Sequence, residues 1–208
     1  MPTTVKFYFD VACPFAWKTS QWIREVESHR DIDVEWIPMS LSVLNEDQDI
    51  PEEYAEKQKA NWGPARVFTK VKNELPEKVG ELYEVMGTIV HHENEAGKDG
   101  FGAYDDVIAR ALEKAGIDAS FAEVANTEEL DADLRAYHQQ GQDAVGDTSG
   151  TPIVQIEDNA FFGPVITRFP DGEEAAQLFD AYAALAAYPY FFEMKRNRTE
   201  APQLDNGN

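Results

Sequence analysis

Val5-Lys-Phe-Tyr-Phe9, followed at once by Asp10-Val-Ala-Cys-Pro-Phe-Ala-Trp17, decides how the rest of the chain is read. The first five residues are β-branched, aromatic or, at Lys6 alone, charged, which is the composition of a short strand buried on both faces of a sheet. Pro14 suits the first turn of a helix, because the N–H it lacks would have had no intrahelical partner there. The spacing of Trp22, Ile23 and Val26 predicts a helix over residues 14–28 with one apolar face. Downstream, Ile32-Asp-Val-Glu-Trp-Ile-Pro-Met-Ser-Leu41 alternates through its first half and predicts a second strand with Pro38 near its end. Strand, helix and strand so close together make a βαβ unit with a right-handed crossover.

Residues 51–140 turn to charged, helix-favouring sequence and predict four or five helices, with breaks at Gly63-Pro64, Leu75-Pro76, the glycines at 97, 100 and 102, Gly116 and Asn126-Thr127. Strand character returns at Thr151-Pro-Ile-Val-Gln-Ile156 and Ala160-Phe-Phe-Gly-Pro-Val-Ile166, and Glu157-Asp-Asn159 between them is a turn that closes an antiparallel hairpin. A last helix is predicted over 173–187, with Leu178, Phe179, Tyr182 and Leu185 on its apolar face, and the polar tail from Lys195 onward is expected to fray. The order βαβ, helices, ββα is that of an α/β, thioredoxin-like fold interrupted by an all-helical insertion. The expected units are the first half of that fold over 1–48, a helical lid over 49–142, the second half over 143–194 and the polar tail over 195–208.

The chain has 208 residues with 43% hydrophobic content, enough for one folded core. Its 39 acidic and 18 basic residues leave a net charge of −21, a field that repels nucleic-acid phosphates and anionic lipid. No stretch approaches the about 20 uninterrupted apolar residues of a membrane span. The opening residues lack the basic and apolar regions of a signal peptide, so a cytoplasmic protein is expected. A single cysteine excludes an intrachain disulfide and any zinc site built from several thiolates.

The function therefore turns on Cys13. A cysteine between the carboxyl end of a strand and the first turn of a helix lies where unpaired N–H groups and the helix dipole favour an anion, so a stabilised thiolate is expected. The alternative is a small buried apolar residue, the commonest role of a free cysteine. Gly150-Thr-Pro152 stands just before a predicted strand, where thioredoxin-like folds place a cis proline facing the active cysteine. Other signals are weaker. His91-His92-Glu93 with Glu95 reads as a solvated helix end, not as a metal site, and His138 could serve Cys13 as a base only if the fold brought the two together. The glycines at 97, 100 and 102 follow no strand and make no dinucleotide fingerprint.

Several stretches together resemble the mycothiol-dependent nitroreductases, the actinobacterial branch of the DsbA-like thioredoxin superfamily. That branch is related to the FrnE-type oxidoreductases and, more distantly, to 2-hydroxychromene-2-carboxylate isomerase and the kappa-class glutathione transferases. The resemblance is carried by Phe9-Asp10, Cys13-Pro-Phe-Ala-Trp17, Met39-Ser-Leu41, Leu44-Asn-Glu46, Trp62-Gly-Pro64, Asp143-Ala-Val-Gly146, Gly150-Thr-Pro152, Phe161-Phe-Gly-Pro-Val165 and the run from Tyr188-Pro to Glu200. It implies catalysis by Cys13, Pro14 and Pro152, with mycothiol as co-substrate and no tightly bound cofactor or metal. It implies a cleft for the electrophile lined by Phe15, Trp17, Asn45, Tyr54 and Trp62, and backbone at Thr151 and Pro152 that holds the bound thiol. Ala16 departs from the Cys-x-x-Cys of dithiol members, so a mixed disulfide with a small thiol must wait for a second thiol to release it. Ala16 is either a natural variant of the motif or a replacement that traps an intermediate.

The expected activity is thiol-disulfide exchange that reduces a protein disulfide or a small electrophile. A kappa-class-like transferase or isomerase, or a non-catalytic chaperone or ligand-binding protein on the same fold, stays open. The identity of the electrophile and the choice between monomer and homodimer are not legible.

Overall fold

The computed structural model describes residues 1–146 and 148–204, so the last four residues of the expected tail lie outside the described residues. The βαβ unit is β1 (Thr3–Phe9), α1 (Pro14–Glu27) and β2 (Ile32–Pro38). After it come α2 (Leu41–Asn45), α3 (Glu52–Glu74), α4 (Val79–His92), α5 (Asp105–Lys114) and α6 (Asp131–Val145), with 3-10 turns at Pro76–Lys78 and Ala119–Asn126. The hairpin β3 (Ile153–Ile156) and β4 (Asn159–Phe162) and the helix α7 (Gly172–Ala186) complete the order. The sheet runs β2-β1-β3-β4, with β1 parallel to β2 and antiparallel to β3, and β3 antiparallel to β4.

The alternation of β1 sends its side chains into two apolar layers. Val5, Phe7 and Phe9 join the main core with Trp22, Ile23, Val26, Phe179 and the inserted helices, while Tyr8 joins Ile37, Met39 and Ile153 on the opposite face. On the first face α1 and α7 pack together, with the Trp22 indole donating to the Ala175 carbonyl at 3.0 Å. On the second face α6 comes so close that a Cβ at Gly141 would stand 3.2 Å from the Tyr8 ring. The boundary expected at residue 142 thus falls inside α6, a helix that packs on the sheet.

Aromatic side chains join the insertion to the sheet. Phe9 stacks on Tyr83 of α4 with centroids 3.9 Å apart and meets Phe68 of α3 edge-on at 5.0 Å. Trp36 of β2 packs on Phe7 at 5.0 Å, and Gly80 lets α4 approach the same indole.

Several boundaries differ from the sequence reading. Strand β2 stops at Pro38 because Ser40 leaves the ladder to cap α2, its hydroxyl accepting from the amides of Ser42 and Val43. Strand β4 ends at Phe162, since Gly163 takes a left-handed φ of 105° ahead of a cis bond to Pro164. Helix α3 runs straight through Gly63-Pro64, where a break was expected. Both residues are buried, so tertiary packing outweighs the local preference against helix.

Gly87 on α4 lies directly against the Trp17 ring, which is locked between His91 and Tyr83. Gly87→Ala is expected to cost about 3 kcal/mol of stability, because the indole has nowhere to go. Gly141→Ala should cost less, since the nearest atom is the mobile sulfur of Met39. Urea denaturation midpoints of the two variants check this order.

Candidate active site

Cys13 is the N-cap of α1, in extended backbone, and Pro14 opens the first helical turn behind it. Sγ accepts from the Ala16 amide at 3.5 Å and donates to the Thr151 carbonyl at 3.4 Å. That carbonyl belongs to the Thr151-Pro152 peptide bond, which is cis, as the Gly-Thr-Pro motif implies. The two motifs lie far apart in sequence, and the fold brings them within one hydrogen bond because β1 and β3 are neighbours in the sheet.

The electrostatics differ from the sequence expectation. Cys13 is only 7% exposed, and burial pushes its thiol above the ordinary range. The Thr151 side chain, then the amides of Ala16 and Phe15, pull it back in part, and the neighbouring Asp10 carboxylate pushes it further up. A helix N-terminus stabilises a thiolate, but here desolvation outweighs it.

Asp10, at the end of β1, is the main site residue that sequence reasoning passed over. It is 3% exposed, and its carboxylate accepts from the Ala12 amide at 2.8 Å and the Leu41 amide at 2.7 Å, while its carbonyl accepts from the Cys13 amide at 3.0 Å. One buried carboxylate therefore fixes both the cysteine turn and the start of α2. Burial raises it to about 6 against the pull of those two amides. The signals in the sequence were its place three residues before the cysteine and the Phe9-Asp10 pair among the stretches that carry the family resemblance.

The histidine pair also needs correction. His91 is buried, its Nε2 lies 2.8 Å from the Val11 carbonyl in the cysteine turn, and burial lowers it to about 4. His92 Nε2 accepts from the Trp17 indole N–H at 2.9 Å. These side chains dock α4 on α1 and are no solvated helix end.

The expected cleft residues divide. Tyr54 is 39% exposed, and its phenol is raised first by burial and then by the charges of Asp10 and Cys13, so it stands by the same turn. Phe15 is half-buried, with the Arg198 guanidinium 4.6 Å from its ring centroid. Thr151 is buried, and its side chain acts on the Cys13 thiol as a hydrogen bond that lowers it. Asn45 donates to the Leu41 carbonyl within α2. Trp62 lies in the seam of α3 and α6 between the guanidiniums of Arg66 and Arg135. Trp17 is 1% exposed and packs as a core residue against His91 and Tyr83, so in this structure it lines no cleft. His138 meets Gln142, not Cys13, beside a cavity of about 660 Å³ between α2 and the end of α6.

Asp10→Asn tests this electrostatic arrangement. Removing the charge beside Cys13 is expected to lower the pH midpoint of Cys13 alkylation by iodoacetamide. Because the folded Asp10 carboxyl titrates near 6 and an unfolded one near 3.8, wild-type protein binds the proton more tightly when folded and loses stability as pH rises through that window. The Asn variant lacks this slope, so relative to it wild type should lose on the order of 2–3 kcal/mol between pH 4 and 6. Denaturant titrations across that window measure the difference.

The family described as Rv2466c-like, mycothiol-dependent nitroreductase Rv2466c, matches residues 12–196. The uncharacterized protein Rv2286c of Mycobacterium tuberculosis is 28% identical over 201 residues, covering 96% of this chain and 84% of its own length. DsbA of Chlamydia trachomatis superposes with a TM-score of 0.60 at 14% identity, covering 89% of each chain. A 2-hydroxychromene-2-carboxylate isomerase superposes at 0.54 and 14% identity, covering 88% of this chain and 94% of its own. These structures establish a DsbA-like thioredoxin fold, and the sequence match establishes that this chain belongs to the Rv2466c-like family of mycothiol-dependent nitroreductases.

Proposed function

We propose that the protein is a monothiol oxidoreductase in which Cys13 exchanges with mycothiol. The observation that carries this reading is the position of Sγ, held between the Ala16 amide and the carbonyl that precedes cis Pro152, with no second cysteine in the chain. Cys13 gives up its proton to solvent, and the thiolate attacks one sulfur of a disulfide. A new S–S bond joins Cys13 to that sulfur, and the other sulfur leaves as a thiolate. Because Ala16 cannot resolve the adduct, a small thiol attacks it, forms a disulfide with the bound group and restores Cys13. With a nitroaromatic electrophile, the balance is one nitro group and two thiols giving a nitroso group, one disulfide and water.

Burial has a direct consequence for this cycle. It penalises the thiolate but not the neutral mixed disulfide, so the resting thiol is protected while exchange with a bound partner is favoured. A thiolate of raised pKa is also the stronger nucleophile once formed. The Thr151 side chain, which already acts on Cys13, and the exposed edge of Tyr54 are polar groups at hand for an incoming thiol. A reducing cytoplasm, which keeps small thiols available, is the compartment that suits the cycle. Among the described residues, no helix is long and apolar enough to cross a membrane.

Mass spectrometry after exposure to mycothiol disulfide tests the proposal. Wild-type protein should carry one mycothiol adduct on Cys13, released by excess thiol, and Cys13→Ser should carry none and lose the reductase activity. Activity that survives Cys13→Ser would overturn the redox reading in favour of a transferase that activates a bound thiol. Ala16→Cys supplies a second thiol on the same helical turn, so the adduct should no longer accumulate and an internal disulfide should replace it.

A further inference from the structure

The polar tail expected to fray instead returns to the body of the protein. The Gln203 amide donates to the Thr167 carbonyl at 2.9 Å, and Leu204 packs against the main core. Glu200 accepts from the Thr167 hydroxyl at 2.6 Å and from Arg168 at 3.0 and 2.7 Å. These contacts pin a strap that carries Arg198 across the Phe15 ring. Phe15 lies two residues beyond Cys13 on the first turn of α1, and its amide acts on Sγ.

Arg198 differs from most arginines of the chain. Among the described residues, Arg24, Arg30, Arg66, Arg110, Arg135 and Arg168 each hold a carboxylate, whereas Arg196 and Arg198 hold none, and of these two Arg198 is the one set on an aromatic ring. In a chain with 39 acidic and 18 basic residues, a guanidinium left without a carboxylate beside the cysteine turn is a departure from the rest of the surface. It does not act on the sulfur itself, since Cys13 responds to burial, local hydrogen bonds and Asp10. Its ring contact places the guanidinium over Phe15, and no carboxylate among the described residues takes up its N–H fork.

We infer that Arg198 is a specificity residue that selects planar aromatic electrophiles bearing an anionic group. The inference rests on the exchange chemistry of Cys13 and names the substrate class of that site. The aromatic ring of the electrophile lies beside the Phe15-Arg198 pair, and its carboxylate or similar group accepts from the guanidinium. A local cation is needed for such substrates because the net charge of −21 repels them at a distance. In the step that follows, the Cys13 thiolate forms an S–S bond to one sulfur of an aromatic disulfide and the other arylthiolate leaves. A small thiol then attacks the adduct, takes the aryl group as a mixed disulfide and restores Cys13.

The test is a comparison of two aromatic disulfides on the full chain at low ionic strength: 5,5′-dithiobis(2-nitrobenzoate), which is anionic, and 4,4′-dithiodipyridine, which is neutral. The quantity read is the ratio of second-order rate constants, anionic over neutral. A charge-assisted hydrogen bond is worth enough that Arg198→Ala should lower this ratio about tenfold or more. Arg198→Lys, which keeps the charge and loses the fork, should fall between, and added salt should lower the wild-type ratio. Glu200→Gln, which loosens the strap, should lower it in the same direction. Arg196→Ala serves as the control in the same segment and should leave the ratio at the wild-type value. A ratio unchanged in Arg198→Ala, or lowered equally in Arg196→Ala, overturns the inference. Wild-type protein that reacts with neither disulfide would instead overturn the exchange chemistry of Cys13.

Discussion

The stacking of Phe9 on Tyr83, 3.9 Å between centroids, is the contact on which the rest of the architecture depends. Phe9 ends β1 and stands four residues before Cys13, while Tyr83 lies in the middle of α4. The pair joins the sheet to the inserted helices at the point where the chain turns toward the cysteine. Around it, Phe7, Trp36, Phe68 and Trp17 close an aromatic cluster that excludes water from β1 and from the underside of α1. The helical insertion is thereby part of the same core as the sheet, and both hold the cysteine turn.

Excluding water from that turn sets its chemistry. The same packing that positions Cys13 also desolvates it, so the helix N-terminus and the raised thiol act in opposition. Asp10 belongs to the same balance: its carboxylate orders the turn through two amides, and its charge makes the adjacent thiolate harder to form. A neutral mixed disulfide escapes both penalties. That balance is what the proposed exchange with a small thiol rests on.

The histidines show how a surface motif can be core. His91 and His92 end α4, a position where basic residues commonly meet solvent and complement the helix dipole. Here one lies against the Val11 carbonyl and the other accepts from Trp17, so α4 is fastened to the cysteine turn and to α1 at once. The tail shows a similar reversal, because Glu200 finds partners in Thr167 and Arg168 that no local pattern announces.

The amino-acid sequence by itself determined the order of elements, the place of Cys13 at a helix N-terminus, the absence of a resolving thiol and the Gly-Thr-Pro turn that meets the sulfur. The order of elements and the helix start follow from periodicity and from the backbone limits of proline, which act over a few residues; the missing resolving thiol follows from the cysteine count, and the meeting of Gly-Thr-Pro with the sulfur from the resemblance to thioredoxin-like folds. Only the tertiary structure decided that Trp17 is core, that α3 continues through Pro64, that Leu41 is tied to Asp10, that burial outweighs the helix dipole at Cys13, and that Arg198 covers Phe15. Each of these depends on desolvation or on contact between residues distant in the chain, quantities that exist only once the elements have packed.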